Sequence, residues 1–281
     1  MLQTTSPSPA STIVLITGCS SGIGRATASA LARSGFVVWA SARNVESIRD
    51  LEDVGCRTIA LDVTDEDSRA RAVGMIAAEQ GHIGLLVNNA GYSQPGSVEE
   101  LPLAAYRAQF EANVFGLVRM CQLVLPEMRR DGAGTIVNLG SGAGLVAPPL
   151  SSAYAMSKYA LEAFSDSLRF ETARFGIRTI LIVASAINTS FTDTLERVLP
   201  PQTDDSPYRV VTRNVMRFAR NEGDSGIPPE RVADTIVRAV LSSRPRARYR
   251  VGSQARLAPF ARRALGDRLW DQLMARLVRA E

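Results

Sequence analysis

Short apolar runs alternate with longer stretches of helical periodicity along most of this chain. Runs of three to six residues fall at 12–17, 36–41, 57–61, 85–87, 134–139 and 178–183, with a weaker seventh at 249–251. Uninterrupted apolar runs of this length read as strands buried on both faces. Between them, helical spacing predicts helices over 25–33, 45–51, 66–79, 102–130, 152–175 and 229–241. Pro229 stands early in the last of these, where a helix starts without losing a hydrogen bond. Strand and helix alternate about seven times without an internal repeat. This predicts one α/β domain over 12–252, a doubly wound parallel sheet of about seven strands with helices on both faces. A ligand then belongs at the carboxyl ends of the strands. Gly18, Asp62, Asn88 and Ser141 all fall at such ends.

Three stretches fall outside this rhythm. Residues 1–11 are rich in Ser and Pro without an apolar core, and read as a disordered leader, not a signal peptide. Residues 187–228 mix Phe191, Leu195, Tyr208 and Phe218 with charges and prolines, as a structureless insertion acting as a substrate lid would; a dimer contact is the alternative. Residues 253–281 form a basic amphipathic helix. Eleven arginines lie between Arg238 and Arg279, against Asp267, Asp271 and Glu281. Their interleaving with Leu257, Phe260, Leu269 and Trp270 favours a helix packed on its own domain or a partner subunit. Binding to nucleic acid or an anionic membrane is the lesser alternative.

Composition narrows the chemistry. An apolar fraction of 46% in 281 residues supports a sizeable core, and no run approaches the ~20 apolar residues of a membrane span. The three cysteines, Cys19, Cys56 and Cys121, show no metal-ligand spacing and suit a reducing cytoplasm. His82 is the single histidine, which argues against a Ser-His-Asp hydrolase and most zinc enzymes.

Lys158 is the only lysine among 32 basic residues, and it follows Tyr154 by four positions. That spacing sets an ammonium and a phenol on one helix face. A nearby cation favours the phenolate, lowering a pKa that starts near ~10, and such a tyrosine is a general acid/base for an alcohol or ketone. A solvated surface pair is the competing reading. Residues 17–24, Thr-Gly-Cys-Ser-Ser-Gly-Ile-Gly, follow the first strand and open a helix. Glycines there admit a pyrophosphate to the helix amino terminus.

Together, Thr17-Gly18, Gly22-Ile23-Gly24, Asn88-Asn89-Ala90-Gly91, Asn113, Ser141 and Tyr154 with Lys158 resemble, in order and spacing, the short-chain dehydrogenase/reductase family. The segment through Tyr249 and Gly252 with its basic tail resembles the branch of 17β-hydroxysteroid and retinol dehydrogenase-like enzymes. The resemblance implies a Rossmann-type fold in which Tyr154 exchanges a proton with the substrate oxygen and Ser141 holds that oxygen. It further implies that Lys158 lowers the Tyr154 pKa and binds the nicotinamide ribose, while Asn113 anchors a proton-relaying water. Gly18, Ser20, Ser21, Gly22, Ile23, Gly24, Asn89, Ala90 and Gly91 would line the cofactor, with Asp62 and Val63 flanking adenine. Ile187 and Thr189 would touch the carboxamide and phosphate.

Past the second strand stands Arg43, with no acid to accept ribose hydroxyls. Its guanidinium suits a 2′-phosphate, so NADP(H) is expected in preference to NAD(H). Two positions depart from the family: Ala184-Ser185 replaces Pro-Gly after the sixth strand, and Gly84 replaces an Asp before the fourth. The sequence therefore reads as a cytoplasmic NADP(H)-dependent oxidoreductase interconverting an apolar ketone or aldehyde with its alcohol. A homodimer or homotetramer is expected, as in the family, and no nucleic-acid partner. The rivals are non-redox chemistry at the same site (epimerisation, elimination or cyclisation) and nucleotide sensing without turnover.

Overall fold

The computed structural model describes residues 12–278; the leader assigned to 1–11 and the last three residues lie outside it. Seven strands form one fully parallel sheet in the order β3-β2-β1-β4-β5-β6-β7. They are β1 (Ile13–Ile16), β2 (Val37–Ala42), β3 (Arg57–Ala60), β4 (Leu85–Asn88), β5 (Gly134–Ser141), β6 (Ile177–Ala184) and β7 (Arg248–Val251). The order reverses between β1 and β4, which opens a crevice at their carboxyl ends.

Alternate residues of each strand serve opposite faces. Val14 and Ile16 join one apolar cluster with α1 (Gly22–Arg33) and α8 (Pro229–Leu241). Ile13 and Leu15 join the other, beneath α2 (Glu66–Gln80), α4 (Gly116–Arg130) and α5 (Ser152–Thr172). Asn88 and Asn138, partners in the β4–β5 register, are bonded through their buried amides at 3.0 Å. Asn138 Nδ2 in turn donates to Ser165 Oγ of α5 at 3.0 Å.

Three expectations are revised. The helix expected over 102–130 is interrupted: α3 (Leu103–Phe110) and α4 flank a π-helical segment, Glu111–Phe115, holding Asn113. The stretch 187–228 is not structureless, because α6 (Phe191–Val198) and α7 (Arg209–Asp224) occupy most of it. The last helix, α9 (Ser253–Val278), is two helical segments meeting at Gly266, whose φ of 66° and ψ of 172° break the helix. Among the described residues no helix is long and apolar enough to cross a membrane.

Candidate active site

The crevice begins where β1 turns at Thr17-Gly18. Gly18 has a φ of +74°, and a Cβ there would lie 2.8 Å from Ala90 Cα. A Cβ on Gly24 would meet Gly18 O at 2.3 Å and Asn89 Nδ2 at 2.4 Å. The glycine turn therefore fits against the loop after β4 only without side chains. Thr17 Oγ1 accepts the N–H groups of Asn89 and Ala90, both at 3.0 Å. Asn89 Nδ2 donates to Thr17 O at 2.9 Å and to Gly18 O at 2.8 Å. Asn89 thus braces the turn with its own amide.

A dinucleotide fits this cradle. Ser21 makes no side-chain cap on α1, and no acid stands in the first turn. The orphan N–H groups at this end face no competing carboxylate from their own helix, as an incoming pyrophosphate requires. Ser20 and Ser21 are exposed, and Ile23 packs on the apolar cluster below. Thr189 stands against Gly22, where a Cβ would lie 2.9 Å from its methyl, and Ser190 Oγ bonds Ser21 Oγ at 2.9 Å. Arg43 follows β2, exposed and without an ion-pair partner among the described residues. Asp62 Oδ1 accepts from Thr64 N at 2.9 Å and Thr64 Oγ1 at 2.7 Å, shaping the turn after β3. Val63 is held by Gly116, where a Cβ would lie 2.4 Å from its carbonyl oxygen.

Ser141 ends β5, and its hydroxyl stands close enough to the Tyr154 phenol of α5 to favour its ionised form. Ser141 Oγ also accepts from Ala143 N at 3.2 Å. Lys158, one turn along, is buried; its Nζ donates to Leu139 O at 2.7 Å and lies 5.7 Å from the centre of the Tyr154 ring. Burial, not the ammonium, is the larger influence on the phenol in this arrangement. It pushes Tyr154 up to about 12, against the pull of the Ser141 hydroxyl. Burial also brings Lys158 down to about 8. The helical spacing is as expected, but the ammonium is directed at a strand carbonyl, and desolvation prevails.

Asn113 spends its side-chain amide on the loop after β4 and on α5. Its Oδ1 accepts from Tyr92 N at 3.1 Å, and its Nδ2 donates to Tyr92 O at 3.0 Å and Ser157 Oγ at 3.1 Å. Both amide donors are used, and Gly91 lies so close that a Cβ would sit 2.8 Å from Asn113 Oδ1. The π segment brings this carboxamide across to the β4 loop; such segments recur at functional sites. Ser157 Oγ then donates to Tyr154 O at 2.7 Å, linking Asn113 to the helix that bears the phenol.

The two departures now have structural reasons. Ser185 Oγ donates to Val251 O at 3.0 Å and accepts from Ala255 N at 3.1 Å, tying the end of β6 to β7 and α9. Gly252, with a φ of +97°, makes room for it, since a Cβ there would lie 2.2 Å from that oxygen. Gly84 contributes its backbone alone, donating to Ile13 O at 3.0 Å and accepting from Thr135 N at 2.9 Å. Ile187 bridges Ile227 at the base of the α6–α7 excursion.

The structure gathers Ser141, Tyr154 and Lys158 at one end of the crevice and the glycine turn at the other. It adds Thr17, Ser157 and Phe191 to the candidate residues. The Phe191 ring opens α6 and lies 5.8 Å from the Tyr154 ring at 55°. Ser157, a hydroxyl three places after Tyr154 in a helix, was a usable signal; Phe191 was legible as an apolar residue of the lid stretch, but not its place against Tyr154, 37 residues distant in sequence (154 to 191).

The model of the short chain dehydrogenase family matches residues 12–198. An uncharacterized oxidoreductase of Bacillus subtilis, YusZ, is 35% identical, covering 93% of this chain and 96% of its own. The 3-ketodihydrosphingosine reductase of Bacteroides thetaiotaomicron is 34% identical over 85% and 87%. Human 17-beta-hydroxysteroid dehydrogenase type 1 is 33% identical over 92% and 82%. A short-chain dehydrogenase structure from Streptomyces avermitilis superposes with a TM-score of 0.77 at 29% identity, covering 95% of this chain and 98% of that one.

Proposed function

Because the chain belongs to the short-chain dehydrogenase family, we propose that it is an NADP(H)-dependent oxidoreductase interconverting an apolar ketone or aldehyde with its alcohol. The observation that carries this reading is the gathering of the Ser141 hydroxyl and the Tyr154 phenol at the strand edge, with Lys158 Nζ fixed 5.7 Å from the centre of the phenol ring. Two hydroxyls converge there on one point, where a carbonyl oxygen would accept from both. When bound, the nicotinamide supplies or takes up the hydride. This chain's residues do the rest. The glycine turn and the start of α1 bind the pyrophosphate. Arg43 takes the 2′-phosphate of NADP(H) by charge-assisted bonds.

Tyr154, held at about 12, carries its proton throughout the neutral range. In the reductive direction it donates that proton to the developing alkoxide, whose oxygen Ser141 holds. Lys158 places a positive charge beneath the pair while it stays protonated. Phe191 and α6 shield the phenol from water and present an apolar surface to the substrate. Two relatives named for 3-ketodihydrosphingosine and for a 17-beta-hydroxysteroid support a bulky apolar carbonyl compound. A homo-oligomer in the cytoplasm completes the reading.

The test is oxidation of NADPH, followed at the nicotinamide band, against a panel of apolar ketones. The expected result is turnover on at least one ketone, abolished by Tyr154→Phe with NADPH binding retained. Tight binding with no turnover across the panel would replace this reading with nucleotide sensing or non-redox chemistry.

A further inference from the structure

The arginine-rich α9 was expected to pack through its apolar side, and it does so at only a few points. Ala255 and Trp270 are buried. Leu257 and Phe260 are 65% and 75% exposed. One helical turn apart, they share the face opposite Ala255, and Leu265, Leu269 and Leu273 are exposed as well. A helix that turns such residues outward has a face covered by something else.

The charges around this face narrow the choice. Within α9 five arginines (Arg256, Arg262, Arg263, Arg268, Arg276) stand against Asp267 and Asp271. Arg262 is paired with Asp267 at 3.2 Å, and Arg256 Nε donates to Arg250 O at 3.2 Å. Arg263 and Arg268 are exposed with no ion-pair partner among the described residues. A second copy seated on this face would bring arginines against arginines. An anionic surface would meet them favourably. The break at Gly266 lets the two segments lie at different angles, so both present apolar residues. Exposed Leu and Phe flanked by arginine on a helix too polar to span a bilayer is the pattern of interfacial binding.

We propose that α9 docks this protein onto an anionic lipid bilayer, with Leu257 and Phe260 entering the headgroup region and Arg263 and Arg268 pairing with lipid phosphates. α9 touches both the turn Gly142–Gly144, just after Ser141, and α7 of the lid. Docking therefore brings the mouth of the crevice beside the phase in which apolar carbonyl compounds dissolve. The docking itself does not depend on what the crevice catalyses.

The experiment is cosedimentation of the full chain with phosphatidylcholine vesicles, with and without phosphatidylglycerol, at low and high salt. Binding is expected only with phosphatidylglycerol and is weakened by salt. The exposed pair Leu257→Gln/Phe260→Gln should lower partitioning about tenfold or more. Arg263→Gln/Arg268→Gln should lower it about fivefold per residue. Cofactor binding and circular dichroism should be unchanged in both variants. No partitioning of the wild type at low salt overturns the proposal, as does equal partitioning of the Leu257/Phe260 variant. Sedimentation velocity supplies the remaining arm: if the Leu257/Phe260 variant falls from a larger species to a smaller one, a second copy covers the face and the proposal fails. Failure to find a ketone substrate would leave these readings intact.

Discussion

Replacing Lys158 with Met should stabilise the fold while abolishing turnover. Lys158 is 8% exposed, and burial lowers it from 10.5 to about 8. A difference of this size corresponds to about 3 kcal/mol of penalty on the charged native state at pH 7. Met has a similar volume and no charge, so the penalty disappears with little repacking. Loss of the bond to Leu139 O, about 1 kcal/mol, leaves a net gain of roughly 2 kcal/mol. The sign with pH follows. The unfolded chain keeps its proton up to 10.5 and the folded chain only up to about 8. Wild-type stability from this group therefore rises as pH climbs through that window. Urea unfolding of both proteins at pH 7 and pH 10 reads this directly. The variant should be more stable by about 2 kcal/mol at pH 7, with the gap falling to about zero at pH 10. A variant less stable at pH 7, or a gap that does not shrink, would refute the argument that burial of the ammonium opposes folding.

Four further outcomes are expected. The reductive kcat/KM should fall above about pH 8, as Lys158 loses its charge, with no second limb from Tyr154 below about 12; a pH–rate profile checks both. Gly24→Ala should abolish dinucleotide binding and cost about 1–3 kcal/mol of stability, since its Cβ has no space beside Gly18 O; titration calorimetry and urea melts measure the two effects. Thr17→Val should cost about 2 kcal/mol and loosen cofactor binding, because it strips the acceptor from the N–H groups of Asn89 and Ala90. Arg43→Ala should raise the KM for NADPH about tenfold or more and leave that for NADH unchanged; equal effects on both would remove its phosphate role.

How far the sequence could be read depended on whether a feature is local. The bounds of α8 were legible as 229–241, since an initiating proline and regular apolar spacing are local signals. The central strands were legible to within a residue or two because both of their faces are buried and their runs are largely apolar; β3 and β7, at the sheet edges, are partly exposed and carry arginines. α7 escaped notice although it is strongly amphipathic, because its charged residues and the prolines before it masked the period. The π segment carries no residue signature. It arises from the fit of Asn113 against Tyr92, a contact between elements 21 residues apart. The Tyr154–Lys158 pair was legible as a pair, but not its electrostatics. Those depend on Leu139 O holding the ammonium and on the burial of Lys158 beside a half-buried Tyr154.

The amide bond between Asn88 and Asn138 has a consequence for folding fidelity. Parallel strands of Val, Ile and Leu pair almost equally well after a shift of register, and apolar contacts alone discriminate weakly between such alternatives. Asn88 Nδ2 reaches both Asn138 Oδ1 and Cys121 Sγ, and all three groups are shut away from water. A shift of two residues between β4 and β5 would preserve the inward faces yet strand two amides in the interior, at a cost of about 1–3 kcal/mol for each unpaired group. The asparagines thus act as a proofreading key for the central strand pair. The residues that depend on the key are Asn89 and Ala90, one step beyond β4, and Ser141, at the end of β5. A mispaired sheet would carry the Asn89 brace on the glycine turn and the Ser141 hydroxyl out of alignment by a strand repeat, and the chain would fold around a crevice whose two ends no longer match.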